Sequence, residues 1–293
     1  MTPIRPRRSA LYMPGSNARA IEKAKTLATD VVIFDLEDAV VPDAKAQARE
    51  QVCAAVRAGG YGKRELVIRI NALETAWGEA DLAAAIAAAP DAILVPKVSS
   101  VEMLAAVGLR LRRLGAAERI RVWAMIETPL AILNAELIAS AAHDVDTRLA
   151  CFVMGTNDLA KDTRARLLPG RAAMLPWLMT ALAAARAHGI DILDGVYNSL
   201  SDAEGFRAEC EQGRDSGFDG KTLIHPDQIA AANEIFAPSA EEVTSARALV
   251  AAFEQPENAG KGAISLNGRM VERLHAEMAT RVLALAEAIG KRR

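Results

Sequence analysis

Eight short β-prone runs, each followed by a longer helix-prone run, set the tightest limit on what this chain can fold into. The β-prone runs fall at residues 9–13, 31–38, 65–71, 92–98, 121–127, 149–155, 190–196 and 221–225. Alanine-rich segments of helical period separate them, among them 81–89, 101–114, 129–142 and 175–188. Strands alternating with helices specify a parallel sheet, and eight such units are what a (β/α)8 barrel requires. The expected class is therefore α/β, a (β/α)8 TIM barrel over residues 1–237, with a doubly wound open sheet as the rival. Neither G-x-G-x-x-G after a strand nor G-x-x-x-x-G-K-[ST] occurs, so the two common nucleotide loops are excluded. Residues 238–293 form a C-terminal helical extension, expected to act as a lid, with helices anticipated at 233–236, 240–254 and 270–289 and a turn-rich stretch from Gln255 to Gly262.

Composition removes several function classes. The 293 residues carry 35 basic and 37 acidic side chains, and a net charge of −2 argues against a nucleic-acid binder. Aromatics are only 4%, and with alanine in surplus this suits close-packed helices on a sheet better than a β-sandwich. No apolar run is long enough to span a membrane. The basic start lacks an apolar continuation, so no secretory signal is expected. Cys53, Cys151 and Cys210 are odd in number and far apart, which points to a reducing, cytoplasmic setting without disulfides or a zinc site.

In such a barrel the chemistry sits at the C-terminal ends of the strands. Polar residues there are Asp35, Glu37 and Asp38, then Arg69 and Asn71, Lys97, Glu127 and Thr128, Gly155-Thr156-Asn157-Asp158, Asp194 with Tyr197 and Asn198, and His225. A carboxylate-rich rim with one arginine and one lysine suits a hard cation such as Mg2+, which takes a few carboxylates and completes its shell with water and substrate oxygens. Glu127 and Asp158 end adjacent strands and are the pair placed to share one ion. Asp35, Glu37 and Asp38 read equally well as partners in a salt bridge, Lys97 being the expected cation. Arg69 follows Leu66-Val67-Ile68, where an unpaired guanidinium would be costly, so it must meet a carboxylate partner or an anionic substrate. Gly155 allows a ligand close to the backbone, and the helix start at Thr156, Asn157 and Asp158 offers N–H groups to a carboxylate. His225 reads as a satisfied strand-end histidine and Cys151 as core. No G-x-S-x-G supports an acyl-enzyme hydrolase.

The runs Arg8-Ser9-Ala10-Leu11-Tyr12-Met13-Pro14-Gly15, Phe34-Asp35-Leu36-Glu37-Asp38-Ala39-Val40, Arg69-Ile70-Asn71, Pro96-Lys97-Val98, Ile126-Glu127-Thr128, Gly155-Thr156-Asn157-Asp158-Leu159 and Gly220-Lys221-Thr222-Leu223-Ile224-His225-Pro226 occur in an order that resembles the citrate lyase β-subunit-like family, which includes malyl-CoA and citramalyl-CoA lyases. The resemblance implies a Mg2+ enzyme that cleaves a 3-hydroxy-3-carboxyacyl-CoA into acetyl-CoA and a 2-oxo acid. It implies metal ligation by Glu127 and Asp158, substrate and enolate binding by Arg69, and support of metal-bound water by Glu37 and Asp38. Substrate binding would extend over Gly155, Thr156 and Asn157, and Arg8 would lie at the coenzyme A phosphates. It also implies a homo-oligomer, a trimer or hexamer, in which the extension of one subunit covers a neighbour's site. Lyases of the group carry G-x-M-[IV]-D in that extension, with the aspartate moving a proton. Here the stretch is Gly268-Arg269-Met270-Val271-Glu272, which makes Glu272 the expected acid–base residue on a longer arm. A thioesterase on the same barrel, a β subunit acting on a carrier-protein thioester, and an aldolase independent of coenzyme A are the alternatives.

Overall fold

The computed structural model describes residues 4–266 and 268–292. The chain divides into two compact units, one running from Arg7 to Asn233 and the other built mainly from Glu234 onward. In the first, eight parallel strands close into a barrel in chain order: β1 (Ser9–Pro14), β2 (Val31–Asp35), β3 (Glu65–Arg69), β4 (Ala92–Val95), β5 (Arg121–Ile126), β6 (Leu149–Met154), β7 (Asp191–Asp194) and β8 (Gly220–Leu223). β8 pairs back onto β1, with Ser9 opposite Lys221. The open-sheet rival is thereby removed. Helices follow the strands, as the alternation demands. The run expected as one helix over 129–142 is broken into Pro129–Leu133 and Ala135–Ser140. Asn134 is the break: it ends the first helix, and its side-chain amide donates to the Ser99 carbonyl.

Side chains alternate across a strand, so every second residue faces the barrel axis. The buried interior cluster follows that phase: Ala10, Val31 and Ile33, Val67, Ala92 and Leu94, Trp123 and Met125, Cys151 and Val153, and Leu193. Cys151 is thus core, as expected, and burial pushes its thiol pKa up. Beneath this cluster the polar residues Arg7, Glu65 and Asp191 are tied together. Arg7 donates to both Glu65 carboxylate oxygens at 2.8 Å, and its guanidinium stacks over the Trp123 ring. A second buried network lies around β7 and β8. Lys221 is fully buried and donates to Asp194 at 2.9 Å and to Glu209 at 2.7 Å, while Arg171 donates to both oxygens of Asp194. Burial alone would raise the Asp194 pKa, but Lys221 and Arg171 outweigh it and hold the carboxyl below its ordinary value.

The second unit is the expected helical extension with one correction, at the start of its last helix. The helix Ala240–Glu254 forms as anticipated, started by a capping box between Ser239 and Glu242. The stretch expected to open a helix at residue 270 instead pairs as an antiparallel hairpin, β9 (Ala263–Leu266) with β10 (Arg269–Glu272), and the helix begins at Arg273. The signal lay in Asn267-Gly268, the dipeptide favoured in two-residue hairpin turns. Gly268 takes φ +77°, open to glycine without a Cβ penalty.

Candidate active site

The inward phase that fills the barrel with apolar side chains turns polar one layer higher. Ala10 is followed in phase by Tyr12, Ile33 by Asp35, Val67 by Arg69, Met125 by Glu127 and Val153 by Gly155. These residues, with Asp38, Thr156, Asn157, Asp158 and Thr222, line a cavity of about 380 Å3 at the C-terminal mouth of the barrel. The pocket is therefore the top of the barrel interior, placed by strand register.

Arg69 sits at its centre and is nearly buried. Its Nε and Nη2 donate to the two oxygens of Asp35 at 2.7 and 2.6 Å, a bidentate fork. Nη1 approaches Glu37 at 2.8 Å, without hydrogen-bond alignment, and donates to Asp38 at 3.2 Å. The guanidinium carbon lies 5.0 Å from the centre of the Tyr12 ring. Burial disfavours the Arg69 cation, but Asp35, Tyr12 and Glu37 outweigh it and keep it charged. The sequence left open whether Arg69 meets a carboxylate or a substrate. Asp35 takes one edge of the guanidinium, and Nη1 is the edge shared with the exposed Asp38.

Glu37 is buried beside that edge and does not line the cavity, whereas Asp38 does. Burial, only partly offset by Arg69 and further raised by Glu127, pushes the Glu37 carboxyl up to about 7.

Glu127 is fully buried, and burial raises its pKa against the opposing effect of Lys97. One oxygen accepts the Lys97 backbone N–H at 2.7 Å. The other, Oε2, is buried without a hydrogen-bond partner. Lys97 makes that bond from a left-handed backbone, φ +52°, unusual for a residue with a side chain. Its ammonium lies 3.9 Å from Glu127, 3.5 Å from Asp158 and 3.6 Å from Glu37. Burial works against that charge, but the carboxylates of Glu127, Glu37 and Asp158 hold the Lys97 pKa above its usual value. The expected pairing of Lys97 with Glu37 is present, while Asp35 belongs to Arg69.

One cation thus lies within 4 Å of both Glu127 and Asp158, and one buried oxygen of Glu127 is unpartnered. Gly155 leaves that oxygen room, since a Cβ there would stand 2.5 Å from it. An all-oxygen pair of this kind fits a hard divalent ion. Among the described residues no cluster of three or more His, Cys, Asp or Glu side chains could hold a metal. Any ion here would therefore draw its remaining ligands from water and substrate, which is Mg2+ behaviour rather than Zn2+ behaviour.

The helix Thr156–Thr163 starts directly after Gly155, which offers no side-chain cap, and Gly155 to Asp158 all line the cavity. Asn157 exchanges side-chain hydrogen bonds with Asn198 at 3.2 and 2.7 Å. Several of the expected groups do not line this cavity. Arg8 precedes β1, at the opposite face of the barrel. Its guanidinium is bound bidentately to Asp30 and donates to the Asn233 carbonyl. His225 caps the turn Pro226–Gln228 and accepts from the Asp227 N–H. Asp194 is enclosed in the Lys221 network. Glu272 belongs to the second unit, where it ends β10, is exposed, and stands before the helix Arg273–Gly290, its backbone N–H donating to His275 Nδ1 at 2.9 Å. Tyr12 and Met125 went unremarked in the sequence, although counting by twos along β1 and β5 reaches both.

A closed eight-stranded barrel with an arginine held by a carboxylate at its C-terminal mouth has the architecture of a barrel enzyme. The chain belongs to the HpcH/HpaI aldolase/citrate lyase family, whose model matches residues 8–226. It is 50% identical over 285 residues to a (3S)-malyl-CoA thioesterase of Cereibacter sphaeroides, covering 97% of this chain and 96% of that one. It is 34% identical over 293 residues to the citrate lyase β subunit of Escherichia coli, covering 98% and 96%. Among solved structures it resembles the protein CitE of Mycobacterium tuberculosis in complex with magnesium, acetoacetate and coenzyme A. That match has a TM-score of 0.76 at 29% identity, over 95% of this chain and 97% of that one. No helix among the described residues is long and apolar enough to cross a membrane.

Proposed function

We propose that this chain hydrolyses the thioester of a 3-hydroxy-3-carboxyacyl-CoA of the malyl type, with Mg2+ bound by Glu127 and Asp158. The observation that carries the reading is the pairing, in one cavity, of a hard-oxygen site with Arg69 held by Asp35. Hydrolysis takes precedence over the carbon–carbon cleavage that the motifs first suggested. A relative 50% identical over 285 residues is named a (3S)-malyl-CoA thioesterase.

The ion, when bound, supplies positive charge for the substrate's hydroxyl and terminal carboxylate oxygens. The N–H groups opening the helix Thr156–Thr163 orient that carboxylate. Arg69 Nη1 faces the thioester carbonyl oxygen as negative charge develops on it. Asp38 takes the proton from the attacking water, since it lines the cavity and geometry ranks before pKa for a general base. The water oxygen bonds to the carbonyl carbon, the carbon–sulfur bond breaks, and the thiolate leaving group takes up the proton that Asp38 removed from the water. Glu37 acts through Arg69 as a positioning residue. Release of acetyl-CoA and a 2-oxo acid is the second reading, favoured by an arginine equally suited to an enolate oxygen. Glu272 is its proton-donor candidate.

The test offers malyl-, citramalyl- and citryl-CoA separately, with Mg2+ and then with chelator, and follows free coenzyme A, acetyl-CoA and 2-oxo acid. Magnesium-dependent malate and free coenzyme A support hydrolysis, and acetyl-CoA with glyoxylate supports the lyase. Turnover by Glu127→Gln or Asp158→Asn within threefold of wild type would remove the metal pair from the mechanism.

A further inference from the structure

We infer that Lys97 is a tethered cation that holds the carboxylates of the metal site together in the metal-free protein and gives way when the metal enters. The inference rests on the reading of Glu127 and Asp158 as the Mg2+ pair.

Three lysines of the barrel unit make the contrast. Lys221 is fully buried and bonds two carboxylates at 2.7 and 2.9 Å. Lys45 is buried and donates to the carbonyls of Leu36 and Glu37 and to Asn71 at 2.7 to 2.8 Å. Each is locked in place by short bonds. Lys97 differs in every respect. Its side chain is 43% exposed, and it stands at 3.5 to 3.9 Å from three carboxylates that follow three different strands, with no short bond to any. That is the placing of a charge balanced between anions, and the position is one that a small divalent cation shared by Glu127 and Asp158 would contest. A flexible four-carbon stem with an exposed face lets the ammonium swing toward solvent without disturbing the barrel.

The backbone does a separate job. The left-handed turn at Lys97 aims its N–H at one oxygen of Glu127, leaving the other without a partner. A main-chain donor thus fixes the carboxylate while the removable side-chain cation neutralises it. Substitutions at this position can separate the two.

The experiment compares wild type with Lys97→Met, Lys97→Gly and Lys97→Arg. Mg2+ affinity is measured by calorimetry without substrate, and thermal midpoints are measured in chelator and in Mg2+. Met and Gly both remove the ammonium, and Gly also suits the left-handed backbone, so it serves if the Met variant folds poorly. Both are expected to bind Mg2+ more tightly, by roughly tenfold, the scale of removing a unit charge a few ångströms from a divalent ion at the protein surface. Their midpoints in chelator should fall, and Mg2+ should raise them by more than it raises wild type. Lys97→Arg should keep near wild-type affinity. If wild type binds Mg2+ while the Met and Gly variants bind it equally or more weakly, Lys97 is not a competing cation and the inference is overturned alone. If wild type does not bind Mg2+ at all, the metal reading fails and takes the inference with it.

Discussion

Replacing Gly155 by alanine adds one methyl group in the cavity wall, one residue past the end of β6 and facing Glu127. The new Cβ would stand 2.3 Å from the Cβ of Glu127 and 2.5 Å from its Oε2. Carbon atoms that do not share a bond settle at about 3.5–4.0 Å, so roughly 1.2 Å of separation has to be found. The Glu127 Cβ is fixed to its strand and cannot rotate away, so the displacement falls on the backbone and on the carboxylate together. Backbone strain is no part of the effect, because Gly155 has φ −97°, accessible to alanine. Overpacking of this kind costs about 1–3 kcal/mol of stability. A catalytic group displaced by about 1 Å can lose on the order of 10²-fold in rate. Gly155→Ala should therefore remain folded, with a lowered thermal midpoint, bind Mg2+ more weakly, and turn over malyl-CoA about a hundredfold more slowly in a free-thiol release assay. A folded variant with kcat within threefold of wild type and unchanged Mg2+ affinity would refute the placing of Glu127 at the centre of the site.

Arg69→Lys keeps the charge but gives up the fork to Asp35, so kcat/KM should fall by about 10²-fold, the scale of losing an oxyanion-stabilising group. Retention of kcat/KM within threefold in steady-state assays would show that Arg69 serves only to pair Asp35. Glu37 gives a pH signature in chelator. Its folded pKa, about 7, lies above the ordinary glutamate value, so the folded protein binds its proton more tightly than the unfolded chain does. That contribution is full below the unfolded pKa and is lost as pH rises through about 7, so wild type should lose thermal stability relative to Glu37→Gln across that window and hold a constant gap above it. Parallel melting curves from pH 4 to 8 would contradict it. Lys221→Met leaves Asp194 and Glu209 without their buried ammonium and should destabilise the fold by about 3–5 kcal/mol in urea titrations, with KM nearly unchanged in the folded fraction. A loss under 1 kcal/mol would mean that Arg171 alone suffices for Asp194.

Much of the site was legible because a barrel reads out strand phase directly. Each strand carries its apolar residues on the axis, and the residue two positions past the last one is the rim residue. That rule places Asp35, Arg69, Glu127 and Gly155, reaches Tyr12 as well, and sets Asp35 rather than Glu37 in phase beside Arg69. It also separates the two ends of the barrel. Arg8 lies before β1 and Arg69 ends β3, so a shared motif set placed one arginine at the rim and the other against Asp30 at the far end. Phase is silent where the chain leaves the strands. Nothing in the residue types announces that Lys97 adopts a left-handed turn and spreads its charge over Glu37, Glu127 and Asp158, because that depends on three strand ends converging. The extension fails differently. Met270, Val271 and Glu272 suit a helix by composition, but Gly268, at φ +77°, precedes a strand instead, and pairing with Ala263 to Leu266 overrides local preference. Glu272 therefore ends a strand and stands exposed where the next helix begins, so its carboxylate is held by the hairpin rather than carried on a helix face.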